Sequence, residues 1–183
     1  KQMSSEIQIV APQSISETES LSAVLAKSAL LPVELRGKQA DILATILTGA
    51  ELGLAPMQSL RGIQIIKGKP TLSADTMGAL CKRRHDICEH LTLKESTPLQ
   101  CTYATKRRHE NVTTMTFTIQ DAQRAGLAGS DTYRKFPAAM LRARCLSMVC
   151  RAVYPDLCLG LYDPEELGGV AEPIRLETMR VER

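Results

Sequence analysis

Arg144 and Arg151 stand seven residues apart in a stretch that reads as one long helix, and seven steps of about 100° return to the same face. Met140 and Ser147 share that face, while Leu141, Cys145, Met148, Val149 and Ala152 make a neighbouring apolar stripe. Two guanidinium groups projecting together from a helix packed along its other side can grip phosphates. Arg134 and Lys135 precede the helix, whose N-terminus adds positive potential. Arg142 points roughly the opposite way. Arg61 with Lys67 and Lys69 forms a second basic cluster, Lys106-Arg107-Arg108 a third and Lys82-Arg83-Arg84 a fourth. Each alone fits a solvated turn or helix face equally well, and the sequence does not show that they converge on one groove.

Other chemistry finds less support. Cys81 and His85 are one helical turn apart, as zinc ligands can be, with Cys88 and His90 following, but the spacing matches no common finger or ribbon. No glycine-rich phosphate loop, nucleophile elbow or close acidic pair accompanies the basic residues. Asp163, Glu165 and Glu166 read most simply as a capped turn after a helix. The expected character is therefore a binding protein with no covalent catalytic site and no cofactor, Mg²⁺ entering only as a counterion of DNA.

Charge distribution supports a polyanion partner. Residues 61–151 carry 16 Lys/Arg against 7 Asp/Glu, whereas residues 1–60 carry 4 against 6 and residues 152–183 carry 3 against 7. The net +3 thus conceals a basic middle between acidic ends. With no Trp, two Phe and four Tyr, few rings exist for stacking bases, so phosphate contact is the expected mode. No run is apolar enough to span a membrane. Residues 1–20 are polar around a short apolar patch from Ile7 to Ala11 and do not read as a secretion signal. Six cysteines without the close pairing of a stapled domain imply reduced thiols, several packed as small apolar groups, in a cytoplasmic setting.

These residues need a scaffold. Residues 1–18 read as a flexible polar lead-in, residues 19–167 as the core domain and residues 168–183 as an acidic tail. Helices are expected over Leu21–Leu31 and Lys38–Leu52, the second presenting Ile42, Leu43, Ile46, Leu47 and Ala50 before Gly53. Ile63–Ile66 and Pro70–Leu72 flank Lys67-Gly68-Lys69 as a hairpin. Ser73 caps a helix reaching Arg84. Strands follow near Glu89–Glu95, Gln100–Arg107 and Val112–Ile119, the last two joined by a turn at Arg108–Asn111. Thr118 with Asp121 starts a brief helix, 127–132 is a loop, and Pro137 and Pro155 bound the long helix. The predicted class is α+β: a mainly antiparallel sheet with a hairpin, packed against a long basic helix and N-terminal helices.

Longer motifs add a resemblance. Leu47-Thr48-Gly49-Ala50-Glu51-Leu52-Gly53-Leu54-Ala55-Pro56 leads to Ile63-Gln64-Ile65-Ile66-Lys67-Gly68-Lys69-Pro70-Thr71. Later come Tyr133-Arg134-Lys135-Phe136-Pro137-Ala138-Ala139-Met140-Leu141-Arg142-Ala143-Arg144, then Arg151 and Gly160-Leu161-Tyr162-Asp163-Pro164-Glu165-Glu166-Leu167. Over about residues 21–167 this resembles the phage RecT/Redβ family of single-strand DNA annealing proteins. The resemblance implies ATP-independent annealing of complementary strands in recombination, with assembly into rings or helical filaments. It also implies a partner exonuclease and a host single-strand-binding protein. The family's gripping cations map to Arg144 and Arg151, and Tyr133 occupies an aromatic position often held by Trp. Ala138 and Ala139 stand where the family often has basic residues, and its small C-terminal partner-binding domain is not evident. The expected DNA-contacting set is therefore Arg61, Lys67, Lys69, Arg107, Arg108, Tyr133, Arg134, Lys135, Arg144 and Arg151. The alternatives are a protein-interaction or regulatory module of the same fold without annealing activity, and a metal-dependent enzyme using the Cys81/His85 region.

Overall fold

A computed structural model of the protein describes residue 12 and residues 14–164. Most of the lead-in, the turn residues Glu165 and Glu166, and the acidic tail lie outside the described residues. The fold is α+β, and the described residues form eight α-helices, a two-stranded hairpin and a three-stranded antiparallel sheet. Within it the chain divides into two compact units between Gln64 and Ile65.

The first unit is helical. Helix α1 spans Ile15–Leu25, starting earlier and ending sooner than the apolar spacing of Leu21–Leu31 predicts. Ser14 explains the start: its side chain accepts a hydrogen bond from the Glu17 backbone N–H at 3.1 Å, capping the first turn. The end follows from Arg36, which donates to the carbonyls of Leu31 at 2.9 Å and Ala29 at 2.7 Å and holds that segment as a loop. Leu31 is nevertheless buried, packing with Leu35, Ile42, Ile46 and Leu60.

Helix α2, Gln39–Glu51, forms where expected but is rotated. Its inward residues are Ile42, Thr45, Ile46 and Gly49, while Leu47 and Ala50 face solvent. Gly49 sets this rotation. Helix α3, Pro56–Gly62, crosses so closely that a Cβ at Gly49 would meet Ser59 Oγ at 1.8 Å and the Ser59 Cα at 3.2 Å. The sequence reading did not include α3. Its signals are Pro56 at the first helical position and Gln58, whose side chain accepts from the Ala55 N–H at 3.1 Å.

Strands β1 (Ile63–Ile66) and β2 (Lys69–Leu72) form the predicted hairpin, with Lys67 (φ 51°) and Gly68 (φ 75°) left-handed at its tip. Helix α4, Ala74–Arg83, begins under the Ser73 cap. Strands β3 (Cys88–Ser96), β4 (Gln100–Arg107) and β5 (Val112–Thr118) make an antiparallel sheet in that order, pairing Leu91 with Thr105 and Tyr103 with Met115. Helix α5, Ile119–Arg124, starts from the predicted Thr118–Asp121 box. Ser130 caps a short helix α6, Asp131–Lys135, where a loop is expected at 127–132. Helix α7, Pro137–Val153, and α8, Pro155–Cys158, close the described chain.

Helices α4 and α7 pack together on the sheet. The core unites Met77, Leu80, Leu91, Cys101, Phe117, Leu141, Leu146 and Val149. All six cysteines are reduced and buried, as the sequence implies. A hydrogen bond with the Cys150 thiol, together with burial, pushes the Cys81 thiol well above its ordinary range, against the opposing effect of its hydrogen bond with Cys158. Among the described residues no group of three or more His, Cys, Asp and Glu is placed to hold a metal.

Tyr154 fastens the end of α7. Its ring is fully buried and its hydroxyl lies 2.6 Å from Thr105 Oγ1 on β4 and 3.2 Å from Cys88 Sγ on β3. Arg107 continues this link, donating to Asp156 Oδ1 at 2.6 Å, Asp156 Oδ2 at 2.9 Å and the Val153 carbonyl at 2.9 Å.

Two expectations follow from this packing. Gly49→Ala should destabilise the first unit by about 1–3 kcal/mol, the cost of overpacking a tight crossing, measured by chemical denaturation. The Arg107 guanidinium holds the Asp156 carboxyl below its usual range. A carboxyl depressed in the folded state contributes stability above its unfolded pKa of about 3.9, lost as pH falls through the folded value. With Asp156 half exposed, that contribution is about 0.5–1 kcal/mol after screening. Asp156→Asn should therefore lower Tm at pH 7 and flatten its fall below about pH 4.

Candidate nucleic-acid interface

Helix α7 is more enclosed than its sequence suggests. Met140 and Ser147, on the arginine face, are both buried, and Ala152 alone among its 17 residues is fully exposed. Arg144 and Arg151 therefore emerge half-buried at the margin of a packed helix. Their seven-residue separation places them about 10 Å apart along the helix axis.

The other expected contacts divide sharply. Tyr133 is 2% exposed and belongs to the core, so its ring cannot meet a strand from that position. Arg107 is occupied internally by Asp156, Val153 and the face of Tyr154. Arg134 is ion-paired with Asp131. Lys135 is exposed beside it and makes no ion pair among the described residues. Arg108 is exposed at the β4–β5 turn, one guanidinium nitrogen donates to the His85 carbonyl at 3.0 Å, and its charge acts on the Asp86 and Glu89 carboxylates. Lys67 is exposed at the hairpin tip. Arg61, in the first unit, is also exposed, and its Nε donates to the Met57 carbonyl at 3.1 Å.

One convergence links two clusters that the sequence separates. Lys69, opening β2, has its ammonium 5.8 Å from the centroid of Tyr162, and the Arg151 guanidinium stands 5.1 Å from the same centroid. Tyr162 is fixed by its backbone: it bridges Thr71 in parallel, and its carbonyl accepts from the Leu72 N–H at 2.9 Å. Its side chain remains at the surface, the residue being 41% exposed. Lys69, Arg151 and Tyr162 thus form one cationic site with an aromatic centre.

Sequence reasoning missed Tyr162 and also Phe136. Of the six aromatic residues, Tyr103, Phe117, Tyr133 and Tyr154 are buried, and only Phe136 and Tyr162 reach solvent. Phe136 follows Arg134 and Lys135 directly. Proximity to basic residues was the available signal, but it applies equally to Tyr133.

Arg142, expected to point roughly away from Arg144 and Arg151, has its Nε and Nη2 buried, and they meet no hydrogen-bond acceptor among the described residues. Its charge acts on Tyr103 and Cys101 of β4. Burial outweighs that influence at Tyr103, whose hydroxyl is pushed up to about 12.

The sequence matches no protein-family profile and no curated protein. No single helix among the described residues is long and apolar enough to cross a membrane.

Buried donors without acceptors are costly, and an apolar side chain of similar shape removes that cost. Arg142→Met should leave Tm unchanged or raise it by a few degrees in thermal denaturation. A large fall would show that the guanidinium stabilises the fold through its charge.

Proposed function

We propose that this chain binds single-stranded DNA through its phosphate backbone and anneals complementary strands without ATP. The observation that carries the proposal is the meeting of Lys69 and Arg151 at an exposed ring, 82 residues apart in sequence but joined in space. Lys67 and Lys135 add uncancelled charge elsewhere in the same unit, and the excess of basic residues over 61–151 supplies the background field.

The physical logic suits annealing. Cations that hold the backbone leave the Watson–Crick edges of the bases open to a second strand. The motifs shared with RecT/Redβ proteins point the same way, and Arg144 and Arg151 are the residues that the resemblance assigns to DNA. Assembly of many copies along a strand belongs to the same proposal, because a few cations per protomer give little affinity alone.

The test is pairing of two complementary fluorescent oligonucleotides without nucleotide, with single-strand binding measured across a salt series. The intact chain should accelerate pairing, and affinity should fall linearly in log–log form with salt. Lys69→Ala and Arg151→Ala should each weaken binding about tenfold at low salt and reduce the slope by about 0.7, the value for one phosphate contact on a single strand. An unchanged slope in the double variant would remove these residues from the interface. Absence of strand binding by the intact chain at low salt would overturn the function.

A further inference from the structure

We propose that Phe136 stacks on a base of the bound strand, so that each copy of the chain adds one base contact to its phosphate contacts. The inference rests on the function proposed above and deepens it by naming a residue that meets the strand through its bases.

The argument begins from a ring that the core does not use. Phe136 is 53% exposed, whereas Phe117 is buried. Single aliphatic side chains at a surface, such as Leu30 and Leu99 here, are ordinary. A phenyl ring differs in offering flat π faces, and such faces are what single-strand binders use to hold bases without reading sequence. The cation–ring contacts among the described residues fall on Tyr154 and Tyr162, and none falls on Phe136. Phe136 also follows directly on Arg134 and Lys135. Arg134 is paired with Asp131, but Lys135 is exposed and makes no ion pair among the described residues, so it supplies a cation for a phosphate next to the stacked base.

The ring is presented by a fixed backbone. Phe136 joins α6 to α7: its N–H donates to the Thr132 carbonyl at 2.8 Å, and its carbonyl accepts from the Met140 N–H at 3.1 Å. Pro137 opens α7 immediately afterwards and narrows the conformations open to the residue before it. An aromatic side chain has only two torsions to order, so placing it on a base costs less entropy than placing a Lys or Arg on a phosphate. Stacking also suits annealing. It engages the face of a base, leaves the Watson–Crick edge to the second strand, and accepts every base alike.

The experiment uses the full chain and two fluorescent strands of equal phosphate number, an oligothymidine and an abasic strand that has the backbone without bases. The intact chain should bind the oligothymidine about five- to tenfold more tightly than the abasic strand. Phe136→Leu should lose that preference, binding the oligothymidine about five- to tenfold more weakly at an unchanged salt slope and the abasic strand as before. Lys135→Ala should instead reduce the slope by about 0.7 on both strands. Because the sequence contains no Trp, Phe136→Trp places a single indole at the site. Unlabelled oligothymidine should quench its emission, and a saturating abasic strand should leave it unchanged. Thermal denaturation confirms that each variant is folded, and the two-strand comparison on the intact chain needs no variant.

If the intact chain binds both strands equally, or if oligothymidine binds the Trp variant without quenching it, the stacking role is overturned and the DNA function stands. A loss in Phe136→Leu that is equal on both strands also overturns it, since the ring would then serve the local structure and not a base. An intact chain that binds neither strand at low salt overturns the function and this role with it.

Discussion

A phenol buried in an apolar core must find a partner for its hydroxyl, and Tyr154 finds Thr105 and Cys88 on two strands of the sheet. That requirement fixes the end of α7 against β3 and β4. Arg107 extends the constraint by clamping Val153 and Asp156 across the start of α8. From there the chain turns through Leu159 and Gly160, both left-handed (φ 46° and 72°), and delivers Tyr162 to β2. The surface cluster thus depends on an interior hydroxyl: moving the end of α7 would move Arg151 and the Tyr162 segment together.

The same unit treats its cations in three ways. Arg107 is fastened to a carboxylate and serves the fold. Arg142 has its Nε and Nη2 buried beside β4, where its charge acts on Cys101 and Tyr103. Lys69 and Arg151 meet the ring of Tyr162. A count of basic residues weights all of them alike. What separates them is the partner, and partners lie far away in sequence: Asp156 is 49 residues from Arg107, and Tyr162 is 93 from Lys69.

This distance explains what was legible beforehand. Strand β5 follows from period-two alternation, and α4 and α5 from Ser73 and Thr118 caps, all signals contained within a few residues. Helix α2 was legible in extent but not in orientation, because the face buried was decided by α3 crossing at Gly49 and not by the apolar count. Helix α1 was displaced because a polar cap and an arginine bonded to two carbonyls outweighed a run of Leu, Val and Ala. At the candidate site, helical periodicity put Arg144 and Arg151 on one face of a helix, and the helix forms over Pro137–Val153. It could not reveal that Tyr133 turns inward while Tyr162 turns outward, since both are tyrosines near basic residues.

The sorting of cations also bears on assembly. With Arg107 and Arg134 paired with carboxylates, part of the basic excess of this unit is answered within the protein. Single-strand affinity grows with each phosphate neutralised, so a protomer with a small set of uncancelled cations would hold a strand only weakly. Strand binding by such a protein would draw its strength from repetition, with each copy raising the local concentration of the strand for the next. Weak individual grips also allow register to be corrected as two strands pair, because no single contact must hold while a mismatched stretch is released. Under the proposed function, weak individual grips would favour annealing, and a more strongly charged surface would bind strands better while pairing them less well.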